Sequence, residues 1–231
     1  MKILLKNAAP PLNIQGAFCK NSFIQLSKEA HNAINKGTLK LTIKRHATSG
    51  EAKRIKITIN ATSGNISVSF GGNDQEVYFG HGSKGKYTIR LTGNSKAIIG
   101  ARTTSNGTTL YCNNSGFVCG EDCMFSSDVL LQASDQHGII DLNTGSIINN
   151  DYSEVMLGDH VWLGRKCTLT AKTQVGNGSI IATGAIVSGR IPKQVLAAGV
   201  PARIIKTEVT WSRELNSMDE LSQRYLNEYQ K

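Results

Sequence analysis

From Leu157 the apolar positions recur every sixth residue: LGDHVW, LGRKCT, LTAKTQ, VGNGSI, IATGAI, VSGRIP. The leading residues Leu157, Leu163, Leu169, Val175, Ile181 and Val187 are all aliphatic. The fifth positions, Val161, Cys167, Thr173, Ser179, Ala185 and Ile191, are mostly small or β-branched. A large inward residue followed by a smaller one, repeated at a fixed period, predicts a triangular β-helix. Each hexapeptide forms one flat side, three form a coil, and stacked coils bury a continuous apolar column. An earlier run, CGEDCM, FSSDVL, LQASDQ from Cys119, keeps its own phase. The 26 residues from Leu131 to Leu157 are two more than four hexapeptides, so a loop must leave the column near 136–155.

Upstream, KGKYTIRLTG, IKITINATSG and NISVSFGG alternate apolar and polar residues between Gly and Asn, as strands do. With a coil corner at Ile99–Gly100 they read as irregular early coils starting near residue 55. Residues 1–54 are expected to cap the column, with SFIQLSKEAHNAI as a helix or strand and GTLKLTIKRH as a strand. At the other end the spacing of Leu221, Tyr225, Leu226 and Tyr229 predicts a helix from about Met218, opened by a capping box of Ser217 and Glu220. The expected organisation is therefore all-β: a cap over 1–54, a parallel β-helix over 55–207, and a helical tail over 208–231.

Composition agrees with short strands and tight turns, since aromatics are 6% while Gly numbers 23 and Pro 4. Neither a signal peptide nor a span of roughly 20 apolar residues is evident, which points to a soluble, cytoplasmic protein. The five cysteines lack the paired spacing of a metal site; Cys119, Cys123 and Cys167 fit instead as small core fillers, and no metal is expected. Net charge is +9 but lopsided: residues 1–100 carry 15 Lys/Arg against 4 Asp/Glu. A basic front half suits an anionic glycan or membrane surface, or is simply a solvated face. No nucleic-acid motif accompanies it.

Four motifs occur together: CMFSSDVLLQASDQHGIID (123–141), LGDHVWLG (157–164), VGNGSIIATGAIVSGRIP (175–192) and AAGVPARII (197–205), with Trp211 beyond. In order and spacing they resemble the left-handed β-helix, hexapeptide-repeat O-acetyltransferases of bacterial capsule and lipopolysaccharide synthesis. That resemblance implies a homotrimer with acetyl-CoA lying in a groove between columns. It implies His137 as catalytic base and Trp162 as a wall of the acetyl site. Acetyl transfer to a hydroxyl needs a base, donors for the oxyanion and two aligned substrates. Asp135 and Asp141 flank His137 and are candidates to orient it. Gly164, Ala182 and Gly184 match positions along the pantetheine arm, although β-helix corner geometry explains them equally well. Arg203 and Lys206 are candidates for the CoA phosphates. His160, in the fourth position of its hexapeptide, reads as a surface histidine. The preferred function is acetylation of a sugar hydroxyl in a surface polysaccharide, sialic acid included. The alternatives are an N-acetyltransferase of an amino-sugar nucleotide, a serine-acetyltransferase-like enzyme, or a non-catalytic β-helix scaffold.

Overall fold

The computed structural model describes residues 1–46 and 50–230. The chain winds into a stack of coils with parallel strands on three faces. The first face holds Phe23–Leu26, Lys56–Ile59, Glu76–Phe79, Lys96–Ile99, Ser115–Cys119, Ser153–Leu157, Gln174–Val175 and Arg190–Ile191 in that order. In the later coils the second face holds Met124–Phe125, Trp162–Leu163, Ile180–Ile181 and Val195–Gly199, and the third holds Val129–Gln132, Thr168–Leu169 and Ile186–Val187. In the earlier coils the long strands Leu39–Arg45, Ser63–Phe70, Lys84–Thr92 and Thr104–Asn113 serve both of these faces. The last of them pairs with Met124–Phe125 through Thr104–Ser105 and with Val129–Gln132 through Thr108–Tyr111.

The hexapeptide reading predicts the inside of the column. All six leading residues from Leu157 to Val187 are buried, and so are all six fifth positions. Cys119, Cys123 and Cys167 fill the core as free thiols. The fourth positions have a role of their own: Asp122, Asp128, His160, Lys166, Lys172, Gly178 and Gly184 all have positive φ, between 52° and 72°. They are the corners, where the chain must turn sharply between flat sides.

Two details depart from a strict period of six. The sixth hexapeptide, VSGRIP, is not a full side. Ile191, expected in a fifth position, stacks on the leader Val175 in a coil shorter than three hexapeptides, its corner tightened by Gly189 at φ +87°. The loop is also longer than the phase break implies. Phe117 pairs with Val155, which lies a little more than two coils further along the chain. Rather more than one whole coil of chain therefore leaves the stack between Gln132 and Ser153.

The early coils are regular, but with a longer period. Ile57, Val77, Ala97 and Phe117 stack at a constant interval that exceeds three hexapeptides. The extra chain in each turn widens the triangle, and aromatic rings fill the added space. Phe79 meets Tyr87 edge-on at 5.0 Å and Phe117 meets Phe125 at 6.3 Å. The region before residue 55 adds strands to this stack: Phe23–Leu26 pairs with Lys56–Ile59, and Leu39–Arg45 with Ser63–Phe70. The antiparallel strand Lys2–Leu4 and helix α1 (Lys28–Asn35) lie at that end. Ser27 caps α1, its Oγ accepting from Ala30 N, and Ala30, Ala33 and Ile34 pack inward. Among the described residues no helix is long and apolar enough to cross a membrane.

The C-terminal tail follows the expected helix closely, but the cap differs. Helix α2 spans Glu220–Tyr229, and Asp219, not Ser217, is its N-cap, accepting from Leu221 N and Ser222 N. The tail runs back along the corner between the first and second faces. Val209 N bonds Gln194 O, Tyr229 lies over Gly178, Trp211 and Tyr225 cover His160, and Arg213 reaches Asp122.

Candidate functional site

The extruded loop leaves the corner between the third and first faces just after Ala133. Asn149 holds its neck closed: its Oδ1 accepts from Ile139 N, and its Nδ2 donates to His137 O and to Asp135 Oδ2, each at 2.9 Å. Beyond the neck a short antiparallel turn joins Ile140 to Ile147. Asp141 forms the tip, its Oδ1 accepting from Asn143 N and Thr144 N. These backbone N–H bonds, that of Thr144 foremost, hold its carboxyl below the ordinary range. Within the chain, then, neither flanking carboxylate takes the His137 ring N–H: Asp141 is spent on the turn and Asp135 is bonded to Asn149.

His137 is exposed on the rim of a cavity of about 280 Å³ under this neck. Asn113, Ser134, Asp135, Asn149 and Lys172 line it. The pattern of apolar positions does not reveal most of this lining, though part of it follows from the phase: Ser134 and Lys172 are the fourth residues of LQASDQ and LTAKTQ, and so share one corner column. Ser134 Oγ accepts from Asn113 N at 2.9 Å, which ties the loop root to the last two-face strand. The lining offers hydroxyls, amides, the two carboxylates of Asp135 and Asp151 and the ammonium of Lys172, groups suited to a hydroxylated ligand.

Trp162 lies elsewhere. It sits half-buried on the second face, its indole N–H donating to Ser126 Oγ at 3.3 Å and its ring 6.2 Å from that of Trp211. The strand register sets Trp162, Ile180, Leu196 and Lys206 in one row across that face. At about 4.8 Å per strand the row is roughly 14 Å long. Arg203 and Lys206 are exposed at its far end, on the strand Ala202–Thr207. His137 belongs to the opposite corner, so a single chain does not bring it to its own Trp162.

The glycines divide. A Cβ at Gly164 would lie 2.6 Å from Thr183 N and 2.7 Å from Ile181 O, so coil-to-coil packing alone demands glycine there. Gly184 has open space around it but φ +72°. Ala182 is half-buried, its N–H bonded to Ala197 O.

His160 is not a surface residue. It is fully buried, with its ring stacked 4.1 Å from Trp211 and 4.3 Å from Tyr225. Nε2 donates to Trp211 O at 2.9 Å, and Nδ1 lies 2.9 Å from Asp122 Oδ2. Arg213 grips the other oxygen of Asp122 at 2.7 Å, and Trp211 Nε1 returns a bond to His160 O. The fourth position does face outward; it is the tail, arriving much later in the chain, that buries it. Among the described residues no group of three or more His, Cys, Asp or Glu is arranged to hold a metal ion.

No family model matches the chain. It is 37% identical over 132 residues to a polysialic acid O-acetyltransferase of Escherichia coli O1:K1, a match covering 57% of this chain and 43% of that relative, less than half its length. It is 26% identical over 211 residues to a polysialic acid O-acetyltransferase of Neisseria meningitidis, covering 80% of this chain and 98% of the relative. The crystal structure of the polySia-specific acetyltransferase NeuO superposes with a TM-score of 0.76 at 28% identity, covering 94% of this chain and 96% of that one. In its six-residue repeat, its stacked three-sided coils and these likenesses, the chain resembles the hexapeptide-repeat, left-handed β-helix acetyltransferases.

Proposed function

We propose that this protein transfers the acetyl group of acetyl-CoA to a hydroxyl of a surface polysaccharide, with His137 as general base, in sites shared between the protomers of a homotrimer. The observation that carries the reading is the placement of His137: an imidazole with no side-chain hydrogen bond among the described residues, at the rim of a polar cavity, on a loop that interrupts an otherwise continuous column. Neutral imidazole suits proton abstraction near neutral pH. It would take the proton of the sugar hydroxyl as the oxygen attacks the thioester carbonyl. When the tetrahedral intermediate collapses, the C–S bond breaks and the imidazolium returns the proton to the departing CoA sulfur.

Acetyl-CoA would lie along the second face of a neighbouring protomer. Trp162 would sit at the acetyl end, its N–H available to the carbonyl oxygen once released from Ser126. Gly164 and Ala182 leave the middle of that face low, and Arg203 with Lys206 would meet the phosphates. The exposed Ile139, Ile140, Leu142, Ile147 and Ile148 of the loop are apolar surface suited to that neighbour. The names of the relatives favour an acidic, sialic-acid polymer as acceptor, and the excess of basic residues in the first hundred positions agrees.

The test is release of CoA thiol from acetyl-CoA with polysialic acid, with a neutral glycan, and with neither. Transfer should require a glycan and should fall by about 10²–10⁴ in His137→Ala. Equal turnover by both proteins would remove His137 from the mechanism.

A further inference from the structure

We propose a second carbohydrate subsite on the third face of the early coils, which holds sugar residues of an anionic glycan remote from the one being acetylated. This rests on the glycan reading above and adds where, and by which residues, the polymer is held. Onward from Lys40, Asn65, Lys86 and Thr108 the two-face strands alternate in and out, so their outward residues fall into rows across the coils. One row is Thr42, Ser67, Thr88 and Thr109; the next is Lys44, Ser69, Arg90 and Tyr111; a third sets Lys40, Asn65 and Lys86 side by side. Every member of these rows is exposed or half-exposed.

The rows are not a flat charged surface. A groove of about 380 Å³ runs among them, lined by Asn65, Ser67, Lys86, Thr88, Asn106 and Thr109. Asp128 closes one end as an acceptor. Hydroxyls, amides and cations, with no apolar side chain standing clear of them, are the chemistry of an acidic sugar: donors and acceptors for ring hydroxyls, positive charge for carboxylates. A membrane surface would call for projecting apolar groups, and a single-stranded nucleic acid for a series of exposed rings to stack on.

Two further observations point to an anionic ligand that continues into the His137 cavity. The first is charge balance. Lys96 on the first face is paired with Glu154 at 2.7 Å, whereas among the described residues Lys44, Lys86 and Arg90 have no carboxylate partner. The second is continuity. Thr109 of the groove, Tyr111 and Asn113 of the His137 cavity are alternate residues of one strand. Thr109 and Asn113 are therefore about 13 Å apart on the same face, a span of a few sugar rings.

The experiment compares the full chain with Lys44→Ala/Lys86→Ala/Arg90→Ala, all outward-facing, and with Lys20→Ala/Lys28→Ala/Lys53→Ala, which removes equal charge elsewhere. Binding of polysialic acid, of a short sialic acid oligomer and of single-stranded DNA is measured directly, without acetyl-CoA, and steady-state kinetics follow. The expected result is at least a tenfold loss of polymer binding in the first variant only. KM for the polymer should rise similarly, with kcat and short-oligomer kinetics unchanged. Equal losses in both variants, or DNA binding as tight as that of polymer and equally sensitive to the first variant, would overturn the subsite. Because binding is read without turnover, selective loss of polymer binding in a protein that acetylates no glycan would sustain the subsite while defeating the proposed reaction.

Discussion

At the scale of single residues, the corner position separates what geometry requires from what a ligand requires. Left-handed backbone disfavours any residue with a Cβ, by roughly 1–2 kcal/mol. The column nevertheless places Asp122, His160, Lys166 and Lys172 there as well as glycine. Gly184 meets no atom within 4 Å at its missing Cβ, so Gly184→Ala carries only that backbone cost. Gly164→Ala must push apart the backbones of two coils. Thermal melting should therefore rank wild type above Gly184→Ala and Gly184→Ala well above Gly164→Ala. If Gly184→Ala melts like wild type but binds CoA much more weakly, close approach of a ligand, not backbone conformation, is what glycine serves at that corner.

At the scale of elements, the tail is a clamp whose strength depends on acid. Burial alone would raise the Asp219 carboxyl. Bonds from Ser222 Oγ and N, Arg213 N and Ser212 Oγ outweigh it and leave the group well below the usual carboxylate range. A carboxyl depressed in the folded state contributes stability that is complete above its unfolded pKa of about 3.9 and is lost as pH falls towards the folded value. Hydrogen-exchange protection of the α2 amides should accordingly decline below about pH 4, and Asp219→Asn should weaken and flatten that decline. An unchanged acid profile in the variant would show that other groups hold the tail. The same elements mark how far the sequence was legible. The six-residue period declared the late coils because each side there is short and repeats the same aliphatic leader. The longer period of the early coils is harder to read. Its leaders Ile57, Val77, Ala97 and Phe117 vary in size to fit a wider triangle, although Gly80, Gly100 and Gly120 recur in step. His137 announced itself by standing where the phase broke. The burial of His160 did not, because no local pattern tells which corner a distant tail will cover.

At the scale of the whole molecule, the proposed reaction requires a site shared between chains, because one column holds its parts apart. Along one column the tail fills the first–second corner, Trp162 begins the second face, and His137 hangs from the third–first corner. A rigid β-helix cannot fold these together, whereas the proposed three-fold arrangement of columns would set one chain's loop against the next one's face. Leu142, at 94% exposure on the loop, is poorly placed for a monomer. Leu142→Asp should therefore weaken assembly in light scattering while leaving the circular dichroism of the column intact. Complementation tests the sharing itself. His137→Ala and Trp162→Ala should each be nearly inactive alone. In the proposed homotrimer, co-expression in equal amounts should give mixed assemblies in which some interfaces join an intact His137 to an intact Trp162. Random assembly makes about a quarter of the interfaces complete, so activity should return to about that share of wild type. Activity that stays at the level of the separate variants would mean that each protomer works alone, and the loop would then have to fold back across its own column to reach Trp162.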